Sequence, residues 1–192
     1  MTKSNRHDEI VERAECLSRQ LGYGGFSFRD LAQATNVKSA SVHYYFPTKE
    51  DLAVVVARRY AQRVYDRLGD PQDPAIPAAQ KMDSLIDVFR DALSSDGRVC
   101  LFLVYGAEMN SLPEGVKAEV RDYFAQCLKW LAKLLERYDE FAPGKGKDAS
   151  ARASAIIAAL NGAMISVRVA GNLSAFEYVV TELRRGGLIP TA

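Results

Sequence analysis

The sequence predicts an all-α protein, and its residue pattern and composition both support this. Apolar residues recur with the 3.6-residue period of a helix in almost every long segment. No run of four or more alternating positions bounded by turn residues is typical of a strand. Of the 192 residues 48% are hydrophobic, and the net charge is only +1, which favours a folded chain over a disordered one. This length suits one or two compact domains.

The first three predicted helices begin or end at recognisable signals. In the first helix Ile10, Ala14, Leu17 and Leu21 are expected on one apolar face, and the glycines from Gly22 onward end it. A second short helix begins at a capping box made of Ser27 and Asp30 and runs to about residue 35. Asn36 is the predicted left-handed turn residue, and a third helix is expected over residues 38–45.

A long fourth helix and a breaker-rich link divide the predicted domains. Thr48 caps the helix expected over residues 49–68, and residues 69–77 (GDPQDPAIP) are the best candidate domain boundary. We therefore expect an N-terminal domain over residues 1–50, a connecting helix over 49–68 and a C-terminal domain over 69–192. The remaining predicted helices cover residues 78–94, 99–110, 114–138, 149–171 and 174–186, with a loop over 140–148, giving about nine helices in all.

Composition also bears on location and redox state. The longest stretch without a charge, residues 153–167, has 15 residues, whereas a membrane-spanning helix needs about 20. The N-terminal segment is charged where a signal peptide would be apolar. Three widely spaced cysteines suit reduced thiols better than disulfides. We expect a cytoplasmic protein with no membrane partner, and we predict no cofactor and no metal.

Two short helices joined by a tight turn and flanked by longer helices are typical of a helix-turn-helix unit. A helix about 10 to 12 Å across fits the DNA major groove, which is about 12 Å wide. Residues 1–68 hold 11 Lys and Arg against 8 Asp and Glu, a weak basic excess that is absent from the rest of the chain. The outward residues of the second short helix are hydrogen-bonding types with one cation: Lys38, Ser39, Ser41, His43 and Tyr44.

The same region carries a family resemblance. Gly22-Tyr23, residues 26–32 (FSFRDLA) and residues 37–52 (VKSASVHYYFPTKEDL) resemble, in order and spacing, the N-terminal domain of the TetR family of transcriptional repressors. Two differences concern individual contacts rather than the fold. His43 and Tyr45 stand where the family commonly has Tyr and His, and Ala40 stands where Gly is frequent.

The resemblance implies DNA binding for residues 1–50, ligand binding and dimerisation for residues 69–192, and a role for each matching residue. Base edges are expected to be approached by Lys38, Ser39, Ser41 and Tyr44, and phosphates by Ser27, His43, Thr48 and Lys49. General chemistry agrees for Lys49, because it lies at a helix N-terminus, where free N–H groups attract anions. Val42, Tyr45 and Phe46 are expected to be core, whereas for Tyr44 packing and base contact are equal alternatives.

Tight sequence-specific binding calls for two reading heads, so we expect a homodimer on a pseudo-palindromic operator with half-sites about 34 to 36 Å apart, or a further multiple of a helical turn. The interface candidates are small and apolar residues of the last two predicted helices: Ala155, Ala158, Ala159, Gly162, Ala163, Val167, Phe176, Val179, Val180 and Leu183. Intramolecular core is the alternative. The family resemblance favours an interface for part of this surface.

An excess of aromatic and sulfur-containing side chains, taken together with the family resemblance, favours a cavity for a small-molecule effector. The residues expected to line it are Phe89, Cys100, Phe102, Tyr105, Met109, Tyr123, Phe124, Trp130, Met164 and Arg168, with Glu108 and Asn110 as further polar candidates. Ordinary core packing is the alternative for each. The segment around Cys100 also resembles a region of TetR-type regulators in which a cysteine senses electrophiles or oxidants. Arg98 and Arg168 are its candidate activating cations, whereas its apolar neighbours favour an inert, buried thiol.

An enzyme is the competing class of function. The two histidines, His7 and His43, both lie in the N-terminal domain, and no HExxH, GxSxG, Walker or CxxC pattern occurs. An RNA-binding or protein-interaction bundle is a second alternative. We predict a repressor, not an enzyme, that binds a double-stranded DNA operator as a homodimer and is released by an effector or by modification of Cys100.

Overall fold

The computed structural model describes residues 3–93, 98–140 and 148–190. Over these residues the chain forms nine α-helices and no strand, which confirms the predicted fold class. The helices are α1 (Lys3–Leu21), α2 (Phe28–Ala34), α3 (Ser39–Tyr45), α4 (Lys49–Leu68), α5 (Ala78–Ala92), α6 (Leu101–Ala107), α7 (Glu114–Glu140), α8 (Ala149–Ala170) and α9 (Ser174–Arg185).

Several helix ends lie where the sequence signals placed them. Ser27 and Asp30 form the predicted capping box, in which the Asp30 amide donates to Ser27 Oγ at 3.3 Å and the Ser27 amide donates to Asp30 Oδ2 at 2.8 Å. Thr48 and Asp51 repeat the arrangement at the start of α4, at 3.1 and 3.0 Å. Asn36 has a φ of 52°, so it is the left-handed residue between α2 and α3.

The boundaries of α6 differ from the prediction. Residues 99–110 were expected to be helical, but α6 covers only Leu101–Ala107 and is followed by turns. Cys100 precedes its first residue, and the Glu108 amide closes it by donating to the carbonyls of Val104 and Tyr105. The Glu108 side chain is then turned towards Tyr23, a residue distant in the sequence. Most of the predicted loop over residues 140–148 lies outside the described residues.

The helices group into two compact units, and two of the boundaries between them fall inside helices. The first unit comprises residues 1–63 and 100–123, and the second comprises residues 64–99 and 124–192. Both α4 and α7 therefore contribute to both units. Residues 100–123 pack with the N-terminal helices although they lie beyond the predicted boundary at residues 69–77. These units are defined by packing alone. The assignment of functions to residues 1–50 and 69–192 stays a prediction.

In the first unit a small apolar core holds the three N-terminal helices together. Ile10 of α1, Leu31 of α2 and Val42 of α3 are fully buried. Phe46, just after α3, is 3% exposed, so the predicted core role of Val42 and Phe46 is confirmed. Tyr45, expected in the same core, is only half-buried.

In the second unit α8 packs against α9, and ion pairs join α9 to α5. Arg90 of α5 contacts Glu177 at 2.7 Å, and Arg184 contacts Asp83 at 2.5 Å. By length and by a mean hydropathy of 1.6, α8 would also pass as a membrane-spanning helix, a property that core helices share. Near its start, Arg152 is buried and is ion-paired with Asp139 of α7 at 2.9 Å.

Candidate nucleic-acid interface

The position of α3 is set by the turn that joins it to α2. Thr35 closes α2 by donating its amide to Leu31, and the Val37 amide donates to the Ala32 carbonyl at 2.9 Å. Lys38 is the N-cap residue of α3, and its carbonyl accepts from the Ser41 amide at 2.8 Å. The turn therefore fixes where a very short helix begins, which its own few backbone hydrogen bonds would not do.

One edge of α3 is open to solvent. Lys38, Ser39 and His43 are exposed, Ser41 is half-buried, and Tyr44 is 68% exposed. That exposure sets Tyr44 apart from the core residues of the same helix. The imidazole of His43 lies edge-on to the buried ring of Phe28, with 4.8 Å between ring centroids. The structure thus brings the predicted residues of α3 together on one accessible polar edge.

Ser27 and Thr48, the two hydroxyl residues predicted to contact phosphates, form hydrogen bonds within the protein. Ser27 Oγ donates to Asp30 Oδ2 at 2.7 Å, and Thr48 Oγ1 donates to Asp51 Oδ2 at 2.7 Å. The hydrogen bonds from the Ser27 side chain and then from its backbone hold the pKa of Asp30 below its usual value. Each hydroxyl therefore serves a helix cap, and a phosphate would have to compete with a carboxylate for it.

Lys49 is turned into the first unit instead of outwards. Its Nζ donates to the Phe26 carbonyl and lies over the rings of Tyr23 and Phe26, 4.9 and 4.2 Å from their centroids. Burial lowers the pKa of Lys49, and the nearby carboxylates of Asp30 and Glu108 oppose that effect. In this conformation the ammonium group is bound by the first unit, and the side chain is half-buried.

Sequence reasoning did not single out Arg29. It is exposed on α2, next to Asp30 and within the segment that carries the family resemblance. Its positive charge is one of the influences that lower the pKa of Asp30. The sequence signal that would have found it is its place directly after the capping residue and Phe28, on the face away from Leu31.

Comparison with known proteins supports the family resemblance. The model described as "Bacterial regulatory proteins, tetR family" matches residues 10–56. The HTH-type transcriptional repressor DhaR of Mycobacterium sp. (strain GP1) is 20% identical over 183 residues, which cover 94% of this chain and 91% of that protein. The crystal structure of a TetR transcriptional regulator from Legionella pneumophila is 28% identical, with a TM-score of 0.84 over 99% of this chain and 98% of that one. Residues 10–56 thus match the DNA-binding domain of the TetR family, and the whole chain is similar in sequence and fold to TetR-type regulators.

TetR family members are transcriptional regulators and not enzymes, so this chain is a DNA-binding transcriptional regulator. All the predicted DNA contacts, from Ser27 to Lys49, fall inside the matched segment. The fold also matches a protein from Saccharomonospora viridis that was solved in complex with choline, at 19% identity and a TM-score of 0.79 over 95% of each chain.

The ten predicted pocket residues are divided between the two units. The first unit holds Cys100, Phe102, Tyr105, Met109 and Tyr123, and the second holds Phe89, Phe124, Trp130, Met164 and Arg168. In the first unit Phe102 stacks on Tyr123 with 3.8 Å between centroids. The hydroxyl of Tyr105 donates to Ser18 Oγ at 2.9 Å, and burial raises the pKa of Tyr105. These are the contacts of core side chains.

In the second unit one predicted pocket residue lines an open groove. The groove has a volume of about 290 Å³ and is lined by Trp130 together with Tyr65, Gly69, Pro71, Gln126, Lys129 and Lys133. The Trp130 indole N–H donates to the Gly69 carbonyl at 2.7 Å, which fixes the ring at its edge. Met164 is fully buried, whereas Arg168 is exposed on α8.

Cys100 lies in a buried polar cluster of the first unit. Cys100 is 8% exposed, and its side chain is hydrogen-bonded with that of the buried Tyr60. Burial raises the pKa of Tyr60 well above its usual value. The guanidinium groups of Arg63 and Arg19 lie 5.3 and 5.8 Å from the centroid of the Tyr60 ring. These two arginines were not among the cations suggested by the sequence, because they lie far from Cys100 along the chain.

Among the described residues, no group of three or more His, Cys, Asp or Glu side chains is placed to hold a metal ion.

Proposed function

We propose that this TetR family regulator represses transcription by binding a pseudo-palindromic operator as a homodimer, and that a small-molecule effector releases it. The observation that carries the proposal is the exposed polar edge of α3, which is backed by the buried Val42 and Phe46 and lies within the family match. A short helix held from behind and polar in front is suited to entering a major groove.

In this proposal Lys38, Ser39, Ser41 and Tyr44 contact base edges. Lys38 donates to guanine O6 or N7, and the exposed Tyr44 ring packs on a base or a thymine methyl group. Of the four phosphate contacts proposed from the sequence, His43 is exposed. Ser27, Thr48 and Lys49 each give up an internal hydrogen bond to make theirs. Arg29 joins the set as an exposed cation on α2.

The proposed dimer interface is the exposed face of α8 and its continuation on α9. The exposed small and apolar residues of α8 are spaced alternately by four and three positions, and we call them the α8 seam: Ala151, Ala155, Ala158, Gly162, Ile165 and Val169. Val169 is 83% exposed, and Tyr178 of α9 is 71% exposed beside an apolar groove of about 310 Å³. Large exposed apolar patches usually mark a protein interface.

Part of the predicted interface belongs to the core of the second unit instead. Ala163, Phe176, Val180 and Leu183 are buried within this single chain, so they are not available to a partner. Of the other candidates, Ala155, Ala158 and Gly162 lie on the exposed side. The interface that we propose is therefore narrower than the predicted one and is shifted to the outer face of α8.

The remaining parts of the proposal concern the effector and the division of labour along the chain. We assign DNA binding to residues 1–50, with α4 as the connection, and effector binding and dimerisation to residues 69–192. That a TetR-like fold can hold a small organic molecule is supported by the choline complex of the S. viridis protein. DNA binding places the working protein in the cytoplasm.

Selection from a random duplex library tests the DNA-binding proposal. We expect the purified protein to enrich a site with two-fold symmetry and to bind it about 1,000-fold or more tightly than random competitor at physiological salt. Its affinity is also expected to fall steeply as salt rises, because counterions are released from the DNA. Enrichment of asymmetric sites, or equal affinity for random duplex, would contradict the proposal.

Modification of Cys100 is a second proposed route of release, supported by its side-chain hydrogen bond with Tyr60 and by the two arginines beside the Tyr60 ring. The test adds N-ethylmaleimide to the complex formed by the protein and the selected duplex. Release from the parent protein and retention by Cys100→Ser is the expected result. Equal release from both proteins would contradict the proposal that Cys100 modification releases DNA. A thermal-shift screen of small molecules on the same two proteins then tests for non-covalent effectors.

A further inference from the structure

The turn between α1 and α2, residues 22–26, is held by two charged side chains from other helices of the first unit. From the end of α6, Glu108 Oε2 accepts a hydrogen bond from the Tyr23 amide at 2.7 Å. From the start of α4, Lys49 Nζ donates to the Phe26 carbonyl. The turn directly precedes Ser27, the capping residue of α2, so its position fixes where the reading head (residues 27–46) begins.

Gly22 is shaped to receive the Glu108 carboxylate. Its φ is +81°, and a Cβ added there would lie 1.9 Å from Glu108 Oε1 and 2.8 Å from Glu108 Cδ. The carboxylate therefore packs against the bare Cα, at a place that any L side chain would fill. A left-handed glycine and a close approach by an acid coincide at this one position.

Tyr105 of α6 contacts the end of α1. Tyr105 lies one helical turn before Glu108, is fully buried, and donates its hydroxyl to Ser18 Oγ at 2.9 Å. Its ring also meets the ring of Tyr23 edge-on, with 6.4 Å between centroids. One turn of α6 thus holds both the last turn of α1 and the residue that follows Gly22.

Charge adds to this contact. The negative charges of Asp30 and Glu108 favour the charged form of Lys49, against the burial that lowers its pKa. Glu108 and Lys49 thus hold the same turn by different backbone groups while their opposite charges support each other. Loss of Glu108 removes both a hydrogen bond to the turn and a countercharge for Lys49.

We propose that Glu108 is a positioning residue for DNA binding, which fixes the orientation of the reading head through the Tyr23 amide and the bare Cα of Gly22. The inference rests on the proposed function, because its main readout is operator binding. Glu108 itself touches no DNA. It acts by holding the turn from which α2, and through α2 the recognition helix α3, takes its direction.

The test compares Glu108→Ala, Glu108→Gln and Glu119→Ala, with a duplex selected by the parent protein as the probe. Glu108→Ala is expected to lower affinity for that duplex about tenfold or more, because a charge-assisted hydrogen bond is lost. Glu108→Gln keeps an acceptor for the Tyr23 amide and is expected to restore most of the affinity. Glu119, which pairs with Arg58 at 2.8 Å in the same unit, is the matched control and is expected to change little.

Hydrogen exchange of the Tyr23 amide gives a readout independent of DNA. Exchange is expected to be faster in Glu108→Ala and close to the parent rate in Glu108→Gln. If Glu108→Ala does not fold, Glu108→Asp replaces it, since the shorter side chain keeps the charge but falls short of Tyr23. Parental affinity in the folded Ala or Asp variant, or unchanged Tyr23 exchange, would overturn the inference. A parent protein that selects no duplex would instead sink the proposed function, and the exchange rates would then decide whether Glu108 holds the turn.

Discussion

The helices α3 and α8 expose opposite kinds of surface. The short α3 shows solvent a polar edge of Lys38, Ser39 and His43 with one large aromatic ring, while its apolar residue Val42 is buried. The long α8 shows solvent the α8 seam, whose members are alanine, glycine, isoleucine and valine. Because a surface is matched by its complement, the first calls for a polar, charged partner and the second for an apolar one.

The difference also concerns what holds each surface in place. The exposed edge of α3 depends on the caps and turns around it, because the helix is too short to be stable alone. By contrast, α8 has 22 residues and its own series of backbone hydrogen bonds, and Leu160 and Met164 are buried on the side opposite the seam. We therefore expect α3 to be sensitive to changes in its supports, and α8 to changes in its exposed face.

The largest expected effect comes from placing a charge in the α8 seam. Ala158→Glu is expected to weaken dimerisation about 100-fold or more, because an unpaired buried charge costs several kcal/mol. Operator affinity should fall with it. Analytical ultracentrifugation over a concentration series measures the first effect, and titration of the selected duplex measures the second.

Ala125→Glu is the matched control, since Ala125 is an exposed alanine of α7 in the same unit. It is expected to leave both dimerisation and DNA binding unchanged. A dimeric Ala158→Glu protein would show that the seam is not the interface. The statement that the exposed face of α8 binds an apolar partner would then be wrong.

On the α3 side, Lys38→Ala is expected to lower affinity for the selected duplex about 5- to 150-fold, the equivalent of about 1 to 3 kcal/mol for one base contact. The preference at one base pair in each half-site should relax, because a base contact carries sequence information. Affinities for duplexes substituted at single positions measure this. Lys129→Ala, which removes an exposed lysine from α7, should leave both properties intact.

A smaller effect is expected from the support of α3. Ser27→Ala removes the capping hydroxyl and is expected to lower the free energy of unfolding by about 1 kcal/mol, or the melting temperature by about 2 to 4 °C. Ser84→Ala on α5, where the hydroxyl donates to the Gln80 carbonyl within the helix, should cost less. Thermal melts compare the two. Equal losses would mean that the cap contributes nothing of its own.

The smallest expected effect is a pH dependence on the α3 side. Because the pKa of folded Asp30 is lowered, its contribution to stability is complete above the unfolded pKa of about 3.9 and is lost as the pH falls through the folded value. The difference in melting temperature between parent and Asp30→Asn is therefore expected to shrink from pH 6 to pH 3.5. A constant difference would show that the carboxylate acts without titrating.

Helix boundaries that are set by local chemistry could be predicted from the sequence. Ser27, Asn36 and Thr48 each act through a neighbour within a few residues, and the structure has them in the expected roles. The end of α6 is different, because Glu108 is engaged with Tyr23. No local pattern announces a partner so far away in the sequence.

The candidate sites show the same limit. The exposed edge of α3 followed from its period and from the family pattern, but the inward conformation of Lys49 depends on the Phe26 carbonyl and the ring of Tyr23. On α8 both sides of the helix are apolar, so the period does not tell which side packs within the chain. For that reason Ala163 was expected at an interface although it is buried in the second unit.

The chemistry of the α8 seam has a consequence for the choice of partner. No charged or hydrogen-bonding side chain lies along its line from Ala151 to Val169, so the seam carries no element that would repel the corresponding helix of a related regulator in the same cell. Any preference for a second copy of this chain over such a paralogue must then come from residues beside the seam, such as the exposed Arg168. If the seam is the dimer interface that we propose, mixed pairs of regulators, each with its own half-site preference, would form wherever those flanking charges are complementary.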